Sequence, residues 1–270
     1  MQKILGGLLL AIGALLGSGA CAQNAAPPNP PPAAAPAPSY AFLSLIGDKL
    51  DIIIAQFQTG SKLDKNRREP PIDIADPVFD NMAATSAGEA IRRVIPKAEL
   101  AVLNSRSPVL FAKQRELFDE SNGVMSIPEA IRGALAAEKA DYLILISKYR
   151  GESEFQFVGS PDGTGMIEGL GFYVDGSTGV YSRETSEAGR GYIAPYAYMR
   201  VALIEVKTGK VLGKQNIKAS MVISSARASE GETSPWAALT SAEKVSAINR
   251  LIQREMRRVV PQLLKVEAGK

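Results

Sequence analysis

Ala197-Tyr198-Met199-Arg200-Val201-Ala202-Leu203-Ile204-Glu205-Val206-Lys207-Thr208-Gly209-Lys210-Val211-Leu212-Gly213-Lys214-Gln215-Asn216-Ile217 reads as two strands joined by a tight turn. Met199, Val201 and Leu203 fall on one face of the first strand, and Arg200, Ala202 and Ile204 on the other. That strand is therefore expected to be largely buried on both sides. Lys207-Thr208-Gly209-Lys210 supplies the turn, where glycine accepts a positive φ that a β-branched residue resists. Upstream, Tyr142-Leu143-Ile144-Leu145-Ile146 is a second apolar run, expected as a neighbouring strand of the same sheet.

Working outward, Tyr40–Ile46 and Leu50–Phe57 read as strands about a Gly47-Asp48 turn, followed by a polar, solvated loop from Gln58 to Pro71. Asp76-Pro77 has the form of a helix start, with Val78, Met82, Ile91 and Ile95 as the buried stripe. A short strand, Glu99–Leu103, and a helix from Ser107-Pro108 to Phe118 come next. Ser126-Ile127-Pro128-Glu129 matches a capping box before a helix that turns Ile131 and Leu135 to the core. Near the end, Thr240-Ser241-Ala242-Glu243 caps a long helix whose Val245, Ile248, Ile252, Val259 and Leu263 recur at helical spacing. Pro261 should kink or end that helix. The expected fold is α/β: a mixed β-sheet flanked by helices, with a long glycine-rich insertion, Gly151–Pro195, between two sheet strands.

The N-terminus reads as an address. Residues 1–22 form a signal peptide with a positive head, an apolar run from Ile4 to Leu16 and the small-residue site Ala20-Cys21-Ala22. Two outcomes stay open: cleavage to give a soluble protein, or lipidation of Cys21 to give an anchored one. Residues 23–39 are a Pro/Ala-rich linker, 40–265 a single α/β domain and 266–270 a tail. The expected location is the periplasm, with anchoring to the outer membrane if Cys21 carries lipid.

Composition narrows the chemistry. The chain of 270 residues has a formal charge of +3, no histidine and one cysteine. A mild charge without a basic stripe argues against nucleic acid as partner. Without histidine, the commonest general base and metal ligand is missing, and the domain beyond Cys21 has no thiol. No cofactor, metal site or catalytic residue is expected. Ser241-Ala242-Glu243-Lys244 and Lys207-Thr208-Gly209 echo penicillin-recognising enzymes, but in the wrong chain order and without the third element. A helix cap and a turn explain them. Gly163-Thr164-Gly165 and Gly169-Leu170-Gly171 do not form a phosphate loop, and Asp175-Gly176-Ser177-Thr178-Gly179 lacks the acids of a calcium loop. Arg250, Arg254, Arg257 and Arg258 mark the solvent side of the last helix, and Trp236 packs before its cap.

The order of elements resembles the curli-secretion channel lipoprotein and its relatives, the penicillin-binding-protein activator lipoprotein and the TolB N-terminal domain. Ala140-Asp141-Tyr142-Leu143-Ile144-Leu145-Ile146 and Arg200 through Leu212 carry the resemblance. It implies a mixed sheet packed by helices, in a non-enzymatic envelope protein that binds other proteins. In the channel members, the corresponding insertion supplies membrane-spanning hairpins. Here Glu154-Phe155-Gln156-Phe157 alternates only briefly against the roughly nine to eleven residues a spanning strand needs.

Three functional classes follow. The first is a protein-binding or assembly module whose partner is another envelope protein, contacted through Phe155, Phe157, Phe172, Tyr173 and Tyr192 on a mobile insertion. The second is a membrane-associated oligomer related to secretion channels. The third is a carboxylate-dependent hydrolase, which requires clustered acids in a concave pocket.

Overall fold

Alternation along one strand organises the molecule. Ile193, Ala197, Met199, Val201 and Leu203 belong to one buried cluster, whereas Tyr192, Ala194, Tyr196, Tyr198, Ala202 and Ile204 face the other way. The computed structural model describes residues 37–56, 66–156, 161–182, 186–227 and 234–268. One compact unit begins at Ala37. The expected leader, Cys21 and the Pro/Ala tract as far as Pro36 lie outside the described residues, while Ser39, assigned above to the tract, already belongs to the first strand.

In chain order the larger elements are β1 (Ser39–Leu45), β2 (Lys49–Ile54), β3 (Arg67–Asp73), α1 (Val78–Val94), β4 (Glu99–Leu103) and α2 (Pro108–Leu117). The short strands β5 (Glu120–Ser121) and β6 (Val124–Met125) lead to α3 (Glu129–Ala137) and β7 (Tyr142–Lys148). Three short strands follow: β8 (Arg150–Glu152), β9 (Phe155–Gln156) and β10 (Pro161–Asp162). The long pair β11 (Met166–Ser182) and β12 (Glu187–Glu205) precedes β13 (Val211–Ser220), β14 (Ile223–Ser224) and the final helix α4 (Ser241–Ala268).

The main sheet has ten strands. Its register shows that several of them lie end to end. Along one edge of β12, Met199–Glu205 pair with β7, while Tyr192–Tyr198 pair with β11; β13 occupies the opposite edge. β7 and β11 are therefore two halves of one row. β1 lies parallel to β7 and β2 parallel to β11, so these also share a row. β4 flanks β1 in parallel and β3 flanks β2 antiparallel. A seam crosses the sheet where both middle rows are interrupted, at Ile46-Gly47-Asp48 in one and between Lys148 and Gly169 in the other.

The expected strands at Tyr142, Ala197 and Val211 are present, with Gly209 at φ +73° in the turn. Other expectations are corrected. β1 and β2 do not form a hairpin: they run in the same direction, and Gly47 is there because a Cβ would fall 2.7 Å from Asp80 Oδ2. Part of the expected loop at 58–71 is edge strand β3, whose Pro70 and Pro71 blunt further pairing. Gly151–Pro195 is chiefly strand, and β11 and β12 carry it into the sheet.

Helix α1 starts after Pro77 without a side-chain cap, and it buries Phe79, Ala83, Ala87 and Ile91 while Val78 is exposed. The Ser126–Glu129 capping box does not form, since Pro128 occupies the N-cap, but Ile131 and Leu135 are buried as expected. Thr240 and Glu243 do form a reciprocal box at the start of α4. Pro261 lies inside α4, which continues to Ala268. Helices α1 and α4 cover one face of the sheet over a continuous core. Each buried leucine or isoleucine there contributes about 1.5–3 kcal/mol. The opposite face carries two separate cores, one under α2 and α3 and one that takes in Tyr149, Phe155 and Ile167.

Candidate functional site

The seam interrupts two backbone ladders, so side chains must satisfy the freed groups. Gln114 of α2 does this for one pair of strands. Its Nε2 donates to Leu45 O at 3.0 Å, and its Oε1 accepts from Lys148 N at 2.8 Å, joining the ends of β1 and β7. Asp80 serves the other face from the first turn of α1. Its Oδ1 accepts from Ser44 Oγ at 2.6 Å, Ile46 N at 2.9 Å and Gly47 N at 3.2 Å. Burial raises the Asp80 pKa above the ordinary carboxylate value, although these three bonds pull it down. The Lys148 ammonium, nearly buried, is paired with Asp48 across the seam.

A cavity of about 680 Å³ opens over this seam, between the start of α1 and helix α2. Among the described residues, seven acids line it (Asp48, Asp51, Asp73, Asp76, Asp80, Glu116 and Glu168), against five bases. The concave acid cluster expected of a carboxylate hydrolase is thus present. Its members differ in availability: Asp80 is held by three donors, Asp48 by Lys148, and Glu168 by Arg115 at 2.6 Å. Asp51 is the acid with a second raised pKa, caused by burial and opposed by Lys49, Lys148 and Arg68.

A groove of about 610 Å³ lies on the face of the two separate cores and shares Gln114, Arg115 and Lys148 with the cavity. Ser147 on β7 and Arg200 on β12, which pair in register, lie on its floor, and Asn216 on β13 continues the row beside Arg200. The β12 strand is largely buried on both sides, as expected, and Arg200 is its exposed exception. Its Nε donates to Asn216 Oδ1 at 2.9 Å, and its guanidinium carbon stands 5.8 Å from the centre of the Tyr149 ring.

The aromatic residues read as a partner surface are in the interior. Phe155, Tyr173 and Tyr192 pack together, with ring centres 4.7 Å apart for Phe155–Tyr173 and 6.2 Å for Phe155–Tyr192. Phe172 points to the opposite face, against Trp236 at 5.4 Å. All four are at most 1% exposed, and Phe157 lies outside the described residues. As placed, none of the four can meet a partner. Trp236 packs at the start of α4, with Lys244 Nζ 4.2 Å above its ring. The α4 arginines are exposed: Arg254 and Arg258 pair with Glu255, and Arg257 with Glu89.

Sequence reasoning missed Asp80, Gln114 and Lys148 as a unit. Asp80 and Gln114 looked like ordinary polar helix positions, and only the seam gives them a role. Arg200 did carry a signal: a permanent charge in the middle of an apolar strand.

No protein-family model matches the chain, and no curated protein does. Solved structures to which the chain is similar include protein XCC0632 from Xanthomonas campestris, of the DUF330 family model, at 9% identity and a TM-score of 0.40 over 86% of each chain. A neuraminyllactose-binding hemagglutinin homolog from Helicobacter pylori has 12% identity and a TM-score of 0.36, covering 84% of this chain and 88% of that one. The PelC dodecamer from Paraburkholderia phytofirmans has 12% identity and a TM-score of 0.28, covering 82% and 90%. At these identities and scores the similarity assigns neither family nor function.

Proposed function

We propose that this chain is a non-catalytic binding module of the bacterial cell envelope, exported by its N-terminal leader, and that it recognises its partner at the seam. The observation carrying this reading is the engagement of the acids there. Asp80 is locked by three donors and Asp48 by Lys148, so both hold the sheet rather than await a substrate proton. Hollows of about 680 and 610 Å³ meeting at Gln114 and Lys148 provide a concave surface on a rigid frame. The membrane-channel reading draws no support from β11 and β12. Leu170–Val174 and Tyr192–Met199 are spent within the sheet, where they contribute to cores on both faces.

A photo-crosslinking amino acid placed at Lys113, on the cavity rim, tests the proposal in cells carrying the full chain. A discrete adduct from Lys113, with none from a matched probe at Arg250 on α4, is the expected result. Adducts from Arg250 alone would place recognition elsewhere. Turnover of a phosphoester or glycoside by the purified protein, abolished by Asp51→Asn, would replace the reading with the hydrolase.

A further inference from the structure

On β12 the even-numbered side chains alternate to one face: Tyr196 and Tyr198 belong to one core, Ala202 and Ile204 to another. Arg200 is the residue between them. The two cores stop short of each other there, and the strip of sheet left uncovered is polar from strand to strand, running Ser147, Arg200, Asn216. A charge in this position is neither a rim residue nor an accident of an edge strand, because β12 is paired on both sides.

The balance of charge around the strip is positive. Arg115, Lys148, Arg150, Arg200 and Lys214 line the groove, against Asp119 and Glu120. Three of the cations are engaged: Arg115 with Glu168, Lys148 with Asp48, and Lys214 with Glu120 at 2.8 Å. Arg150 and Arg200 make no ion pair with a carboxylate among the described residues. Arg200 is nonetheless oriented, since its Nε is bonded to Asn216 and its plane lies near Tyr149. That leaves the terminal nitrogens of a pre-positioned fork, the geometry that favours two-point capture of a carboxylate or phosphate.

We propose that this groove binds a small ligand bearing a carboxylate or phosphate group, with Arg200 as the anchoring fork and Arg150 as the second cation. The groove volume, about 610 Å³, suits a molecule of small-ligand size. Tyr149 offers an aromatic face beside the anion, and Ser147 a hydroxyl on the floor. The proposal rests on reading the chain as a binding module and names the chemistry of its ligand.

Calorimetric titration of the full chain with citrate and, separately, with inorganic phosphate tests it. At least one probe should bind, more weakly as salt is added, and which one binds identifies the anion. Arg200→Gln should weaken that binding about tenfold or more, the loss expected for a charge-assisted pair. Arg200→Lys, which keeps the charge without the fork, should fall between, and Arg257→Gln on α4 should match the parent protein. The graded series separates loss of recognition from loss of fold. Absence of binding by both probes at millimolar concentration, or equal affinity in Arg200→Gln, overturns the proposal. A Lys113 crosslink persisting alongside that failure would remove only the anion chemistry and leave the binding module standing.

Discussion

Replacing Asp80 by alanine strips the seam of the acceptor for three donors at once: the Ser44 hydroxyl and the Ile46 and Gly47 amides. Gly47 already sits so close to Asp80 that no side chain fits between them, so the strand break and the helix cannot readily re-pair by shifting. Each buried donor left unpaired costs about 1–3 kcal/mol, and relief of the buried charge offsets part of that sum. A net loss of about 3–5 kcal/mol is expected, which for a domain of this size lowers Tm by about 10 °C. Asp80→Asn keeps an acceptor and should lose less than half as much. The pH dependence follows from the raised pKa of Asp80. A carboxyl whose folded pKa lies above its unfolded value gives stability that is full below the ordinary carboxylate range and is lost as pH rises through the folded pKa. The parent protein gains this term on acidification and Asp80→Ala cannot, so the gap between them should widen from pH 7.5 to pH 5. Thermal unfolding at both pH values provides the assay. A Tm change under about 2 °C in Asp80→Ala, or a gap that narrows on acidification, would refute the assignment of Asp80 as the clasp of the seam.

Gln114→Ala should lower stability by about 2–3 kcal/mol and speed hydrogen exchange at the Lys148 amide, which loses Gln114 Oε1 as its acceptor, while leaving exchange at Leu145 within the β7 ladder unchanged. Gly171→Ala should be among the most damaging changes in the sheet, about 3 kcal/mol or more, because its Cβ would fall 2.2 Å from Asp51 O and 2.6 Å from Tyr196 Oη. Urea unfolding of the purified variant measures it.

The central hairpin was legible because its information is local. Alternating apolar residues and a Thr-Gly turn define β12 and β13 without reference to any other part of the chain. The seam was not legible, since it depends on which distant strands lie end to end. Nothing near Gly47-Asp48 distinguishes a reversal from a straight continuation into the next segment. The glycine-rich stretch was misread for a related reason. Glycine suggested freedom, whereas here it permits crowding: a Cβ on Gly163 would stand 2.8 Å from the Phe155 ring, and Gly171 lies against backbone. The aromatic residues that accompany these glycines are core, and the glycines are small because the aromatics are large. Arg200 shows the converse. Its place in the alternation is the one the sequence indicates, but a strand expected to be largely buried on both faces gave its charge no role.

The polar strip through Arg200 is hard to explain as a stability device. Apolar residues at Ser147, Arg200 and Asn216 would let the cores on either side merge into one, gaining about 1.5–3 kcal/mol for each large side chain so buried. The opposite face of the same strands does this without interruption, from Ile193 through Leu203 beneath α1 and α4. One sheet therefore carries a continuous core on one side, which fixes the strands in place, and forgoes that burial on the other. What it gains is an arginine held at its Nε, presented in a groove by a strand paired on both sides. Rigidity on the covered face and an open, charged floor on the divided face are the two requirements of a recognition site. The residues that supply them, Met199 and Arg200, are neighbours in the sequence.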